Sequence, residues 1–137
     1  VKKILLFEQS EEYRDALTLS VRVHLDSMKI QNVEFMYFNP DDVFKKPMPE
    51  EALAVFFSLS CMNDVETARH FNKLLEEIPL VMVSDTDEFV LETNSTGAVF
   101  YLVRPIDEGF LYMALDRCVR GLDYFVHFNP YRGGAKA

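Results

Sequence analysis

The sequence predicts a single α/β domain in which a five-stranded parallel sheet, ordered 2-1-3-4-5, is doubly wound with helices on both faces. Three observations lead there. Short apolar runs without alternation, Ile4-Leu5-Leu6-Phe7 and Ala52–Phe57 among them, suit central parallel strands covered on both sides. Between these runs, apolar residues recur at helical spacing, as at Leu17, Val21 and Leu25. The chain of 137 residues is one ordinary domain, and five strand–helix units fit into roughly 125 residues in small doubly wound folds.

Each element has its own warrant. The first strand stops at Glu8-Gln9-Ser10, where Ser10 is a good N-cap and Glu11 and Glu12 suit the first turn of a helix. Tyr13, Leu17, Val21, Leu25 and Met28 then mark one core face of that long helix. His24, alone on it, reads as a structural residue. Ile30 to Phe38 partly alternates, as an edge strand does. Asn39-Pro40-Asp41-Asp42 opens a short helix that Pro47 and Pro49 end. The third strand, Ala52 to Phe57, ends at Ser58-Leu59-Ser60-Cys61. Val65, Ala68, Phe71 and Leu74/Leu75 mark the next helix, from Asn63. Pro79 to Val83 is the fourth strand, followed by Ser84-Asp85-Thr86-Asp87; Asp85 reads as a solvated acid before the next helix. A short, weakly amphipathic helix around Glu88 to Glu92 ends before Asn94-Ser95-Thr96-Gly97. Val99 to Val103 forms the fifth strand, and Arg104 stands at its end, before Pro105. Leu111, Leu115, Cys118 and Leu122 define a last helix from about Asp107 to Tyr124, and periodicity is lost at Asn129-Pro130.

Composition bounds the function. Hydrophobic residues make up 49% and charged residues 26%, a globular balance. No apolar run approaches the roughly 20 residues of a membrane span, and no signal-peptide pattern opens the chain, so a cytoplasmic, soluble protein is expected. A formal charge of −8 argues against direct nucleic-acid binding, which needs a basic face. Cys61 and Cys118 lack metal or redox spacing and are expected as buried free thiols. No glycine-rich phosphate loop follows the first strand, against a nucleotide-binding enzyme.

The stretch Gly97-Ala98-Val99-Phe100-Tyr101-Leu102-Val103-Arg104-Pro105-Ile106 resembles the last strand of response-regulator receiver domains of two-component signalling, where Gly-Ala, an aromatic, a buried run and Lys-Pro recur together. The resemblance runs from about Lys2 to Tyr124 and implies the flavodoxin-like, receiver (CheY-like) fold. It divides the chain into a receiver-like domain, 1–125, and a tail, 126–137, that is a linker or an added remnant. It also implies a pocket at the strand ends: two carboxylates after the first strand and one at the end of the third hold Mg²⁺, and the third-strand aspartate accepts a phosphoryl group. By the same resemblance the acidic pair falls on Glu8 and Gln9, the acceptor on Ser58, the hydroxyl on Ser84 and the lysine on Arg104. Tyr101 takes the place of the aromatic switch residue, and the Arg-Pro pairing suggests a cis bond before Pro105.

The acceptor chemistry does not carry over. Ser58 cannot form an acyl phosphate, and moving the acceptor to Asp64 would place it beyond the strand end. With one carboxylate left, Glu8, as a weak candidate ligand, Mg²⁺ is not expected to bind well; no metal and no cofactor are expected. Arg104 keeps charge but presents a planar fork in place of a point charge. Three accounts of the pocket follow: a Glu8–Arg104 ion pair that locks it, an anion or small ligand bound by Arg104, Ser58 and Ser84, or a relic pocket with no ligand. The expectation is a degenerate pseudo-receiver, not an enzyme, acting as a phosphorylation-independent interaction module. Its partner is a protein or output domain, or a second copy docked through the face made by the family's fourth helix, fifth strand and fifth helix (α4-β5-α5). The helices of that face carry Phe89, Leu91, Phe110, Tyr112 and Tyr124, some of which exceed what one core face can bury and point to a protein–protein surface. The alternatives are a receiver still responding to phosphate or another small anion through a non-standard site, and a small nucleotide-binding α/β domain.

Overall fold

Strands β1 (Lys2–Phe7), β2 (Val33–Phe38), β3 (Ala54–Leu59), β4 (Leu80–Ser84) and β5 (Phe100–Val103) pair in parallel in the order β2-β1-β3-β4-β5. The computed structural model describes residues 1–128, with side chains as far as Arg120. Successive residues of a strand point to opposite faces, so β1 divides its apolar run between two cores. Ile4 and Leu6 pack with Phe56, Val81 and Leu102 under helices α1 (Glu11–Ser27) and α4 (Glu108–Phe128). Leu5 and Phe7 pack with Val55, Phe57 and Met82 under α2 (Met62–Leu74). Phe7 is the centre of this second core: its ring stacks on Phe38 at 5.0 Å and Phe57 at 4.7 Å and meets the edge of Phe71 at 5.5 Å.

The helix starts follow local chemistry. Ser10 caps α1, its hydroxyl accepting the Tyr13 N–H at 3.2 Å. After β2 the expected short helix is a 3-10 turn, Pro40–Phe44, with the Asn39 N–H donated to the Asp42 carboxylate at 2.8 Å. Several boundaries move from their sequence expectation. Lys29 and Asn32 adopt left-handed φ of 63° and 59°, and the Ile30 N–H still bonds Leu25, so β2 begins at Val33 and not at Ile30. β3 runs two residues further than expected, to Leu59, which puts Ser58 inside the strand. The segment after β4 forms a 3-10 turn, Val90–Glu92, and a single helical turn α3, Thr93–Thr96, so the helix lies later than expected. Gly97, at φ 79°, ends α3 and turns the chain into β5.

Three assignments of side chains and one helix end are corrected. Tyr13 is exposed and not part of the α1 core face, which is made by Leu17, Val21 and Leu25. Phe89 is buried among the α2-side core and is not surface. Cys61 is exposed, whereas Cys118 is buried as expected. The last helix continues to Phe128, so residues 126–128 of the expected tail are helical. Residues 129–137 of that tail, and the side chain of Tyr124, lie outside the described residues. Among the described residues no helix is long and apolar enough to cross a membrane.

Candidate functional site at the strand ends

The C-terminal edge of the sheet brings together residues far apart in the chain. Glu8 follows β1, and its N–H extends the ladder to the Phe38 carbonyl at 3.1 Å. Arg104 follows β5, its N–H held by the Ser84 carbonyl at 2.8 Å, and a cis bond joins it to Pro105. Parallel pairing then sets the pocket: β1 and β5 flank β3 and β4, and their C-terminal ends face one another across Ser58 and Ser84.

The Arg104 guanidinium fills the centre of this edge. Its Nη2 donates to the Glu8 carboxylate and to the Ser58 hydroxyl, the latter at 2.9 Å. Its Nη1 donates to Asp85 at 3.1 Å. The Tyr13 ring lies 4.2 Å from the guanidinium carbon, close enough for a cation–π contact. The side chains of Arg104 and Glu8 are only 13% and 10% exposed, so their pairing is shielded from water and salt. Asp85 is 63% exposed and its bond to Arg104 contributes little. The second Glu8 oxygen accepts the Ser10 N–H at 3.0 Å, which ties the pocket to the start of α1.

The sequence-assigned residues are thus gathered unevenly. Glu8, Ser58 and Arg104 meet directly, as a Glu8–Arg104 ion pair. Gln9 is exposed on the turn beside them. Ser84 is buried, but its hydroxyl accepts the Thr86 N–H at 3.3 Å and is not among the described partners of the guanidinium. Asp64 sits in the first turn of α2, where its carboxylate accepts from the Ser60 N–H and hydroxyl, both at 2.8 Å. Tyr101 is half-buried on β5, and its hydroxyl donates to the Thr86 carbonyl at 2.8 Å.

Two members of the site were missed by sequence reasoning. Tyr13 was assigned to the core, and Asp85 to a free acid before a helix. Each had a positional signal: Tyr13 lies in the first turn of α1, beside the strand ends, and Asp85 immediately follows the last residue of β4. Among the described residues, no group of three or more His, Cys, Asp or Glu side chains is placed to hold a metal ion.

No protein-family model matches the sequence, and no curated protein matches it significantly. Solved structures share its fold at low identity. A response regulator receiver protein from Pseudoalteromonas atlantica has a TM-score of 0.68 at 12% identity, over 86% of this chain and 97% of that one. A response regulator from Thermotoga maritima gives 0.67 at 14%, over 88% and 99%. A candidate pilus assembly protein from Burkholderia thailandensis gives 0.71 at 14%, over 88% and 99%. With its strand order and its helices on both faces, the chain has the fold of response-regulator receiver domains.

Proposed function

We propose that this chain is a pseudo-receiver: a signalling module of the two-component or phosphorelay type that works through protein contacts without accepting phosphate. One observation carries the reading. The cation at the end of β5 is already engaged by Glu8, Asp85 and Ser58 under the Tyr13 ring. An incoming phosphoryl group would have to displace those carboxylates and would find a hydroxyl, not a carboxylate, at Ser58. The donor set also does not suit Mg²⁺, which dehydrates reluctantly and prefers several hard oxygen ligands. Glu8 has both oxygens occupied, and Ser58 is neutral.

Output is then read from surface already in place. Val103 on β5, Phe110 on α4 and Leu91 before α3 are exposed, and they make the counterpart of the family's docking face.

The test is an NMR titration of the domain with Mg²⁺ and then with Mg²⁺ plus beryllofluoride, following the amides of Glu8, Ser58 and Arg104. No saturable shift at millimolar metal is expected. Saturable shifts that spread from the pocket to Tyr101 would overturn the reading, because they would mean that the site still senses a phosphoryl group.

A further inference from the structure

Beside the Glu8–Ser58 pocket, and sharing Tyr13, Asp85 and Arg104 with it, a cleft of about 500 Å³ lies between α1 and α4. Its volume is that of a small-molecule site, where roughly 300–1,000 Å³ is usual. The walls are apolar: Ala16 and Leu17 come from α1, Leu111 from α4, and Ile106 from the loop that precedes it. Two carboxylates, Asp85 and Glu108, stand on its lining, and both side chains are more than half exposed.

The charged side chains on the cleft's lining, Asp85, Glu108 and Arg104, carry a formal net charge of −1. Arg104 lines it but is spent on Glu8 and Asp85, and Glu108 faces His24 at 2.8 Å and the Ser20 hydroxyl at 3.3 Å. Three carboxylates therefore stand against one guanidinium and one imidazole, so one negative charge remains even with His24 protonated. An anion brought here would meet that excess. An apolar group carrying a cation would place its body on Ala16, Pro105 and Ile106, over the buried Leu17 and Leu111, and its charge beside Asp85 or Glu108.

We propose that the α1–α4 cleft binds small amphipathic cations, with a compact aromatic or aliphatic body and an amine or guanidinium end. The cleft shares Arg104 and Asp85 with the pocket of the proposed function, but its test reads a charge preference between two probes and not a phosphate response, so either reading can fail alone.

The probes are tryptamine and indole-3-acetate, which share a ring and carry opposite charges. Each is titrated into the intact protein while the amides of Ala16, Leu17, Ile106 and Leu111 are followed. Tryptamine should saturate those shifts and bind at least about tenfold more tightly than indole-3-acetate. Paired D85N and E108Q substitutions, both at exposed carboxylates, should remove that preference, and A16F should abolish binding by filling the cleft. Equal binding of the two probes, shifts confined to other surfaces, no saturation, or an unchanged preference in the D85N/E108Q variant would each overturn the proposal.

Discussion

Arg104 is surrounded by groups from the ends of β1, β3 and β4 and from α1, and this decides what its loss does. Removing one partner of a shielded pair leaves the other charged and unpaired, at about 3 kcal/mol or more. Arg104→Met should therefore lower unfolding stability in urea by about 3 kcal/mol, while adding Glu8→Gln to it should restore most of the loss. Arg104→Lys should fall between, since an ammonium cannot reach Glu8, Ser58 and Asp85 with one planar fork. Independent, additive losses in the double variant would show that the two residues are not coupled. The cysteines make a second contrast. Burial pushes the Cys118 thiol up to about 12, with Arg117 drawing it back only partly, whereas Cys61 is exposed. A maleimide reagent should label Cys61 in the folded protein and reach Cys118 only after denaturation. Rapid labelling of both in native buffer would contradict this packing.

At the scale of elements, the turn into β5 is the most exacting. Gly97 holds φ 79°, and a Cβ there would run into the Asn72 side chain from α2. Gly97→Ala should cost about 1–2 kcal/mol, read as a lower urea midpoint at unchanged slope. A neutral result would mean that this turn relaxes freely. The helices α1, α2 and α4 were legible because each carries a long apolar stripe. The chain from Asp85 to Thr96 carries none, and it resolves into short turns held by side chains, as where Thr96 donates to the Thr93 carbonyl at 2.9 Å. Strand ends were less legible for another reason: Ser58 and Ser84 look like terminators but continue the ladder, because their neighbours Leu59 and Val83 are buried. In the site, Arg104 was legible as a cation at a strand end, and Glu8 and Ser58 through the resemblance to receiver domains. Tyr13 and Asp85 had only their positions beside strand ends to mark them, and their contacts to the guanidinium appear only when β1, β4 and β5 are side by side.

Taken as a whole, the molecule carries a formal charge of −8, and self-repulsion among exposed carboxylates opposes compaction. The Glu8–Arg104 pair lies out of reach of that screening, so added salt should relieve repulsion without weakening the pair. Sodium chloride up to about 0.15 M, where the Debye length is near 8 Å, should raise the melting temperature by a few degrees. Magnesium chloride at matched ionic strength should do no more than that. An extra rise specific to Mg²⁺ would point to a bound ion and count against the pseudo-receiver reading.

The link from Glu8 to Arg104 spans 96 positions of the chain. Loop entropy predicts that a contact between segments so distant closes after the local helices and the inner strands have formed. Arg104→Met should then leave the refolding rate nearly unchanged and accelerate unfolding, so that almost all of its effect appears in the unfolding arm of a chevron plot. In that outcome the guanidinium is a latch on the lifetime of the native state, fastened late in folding and released first in unfolding.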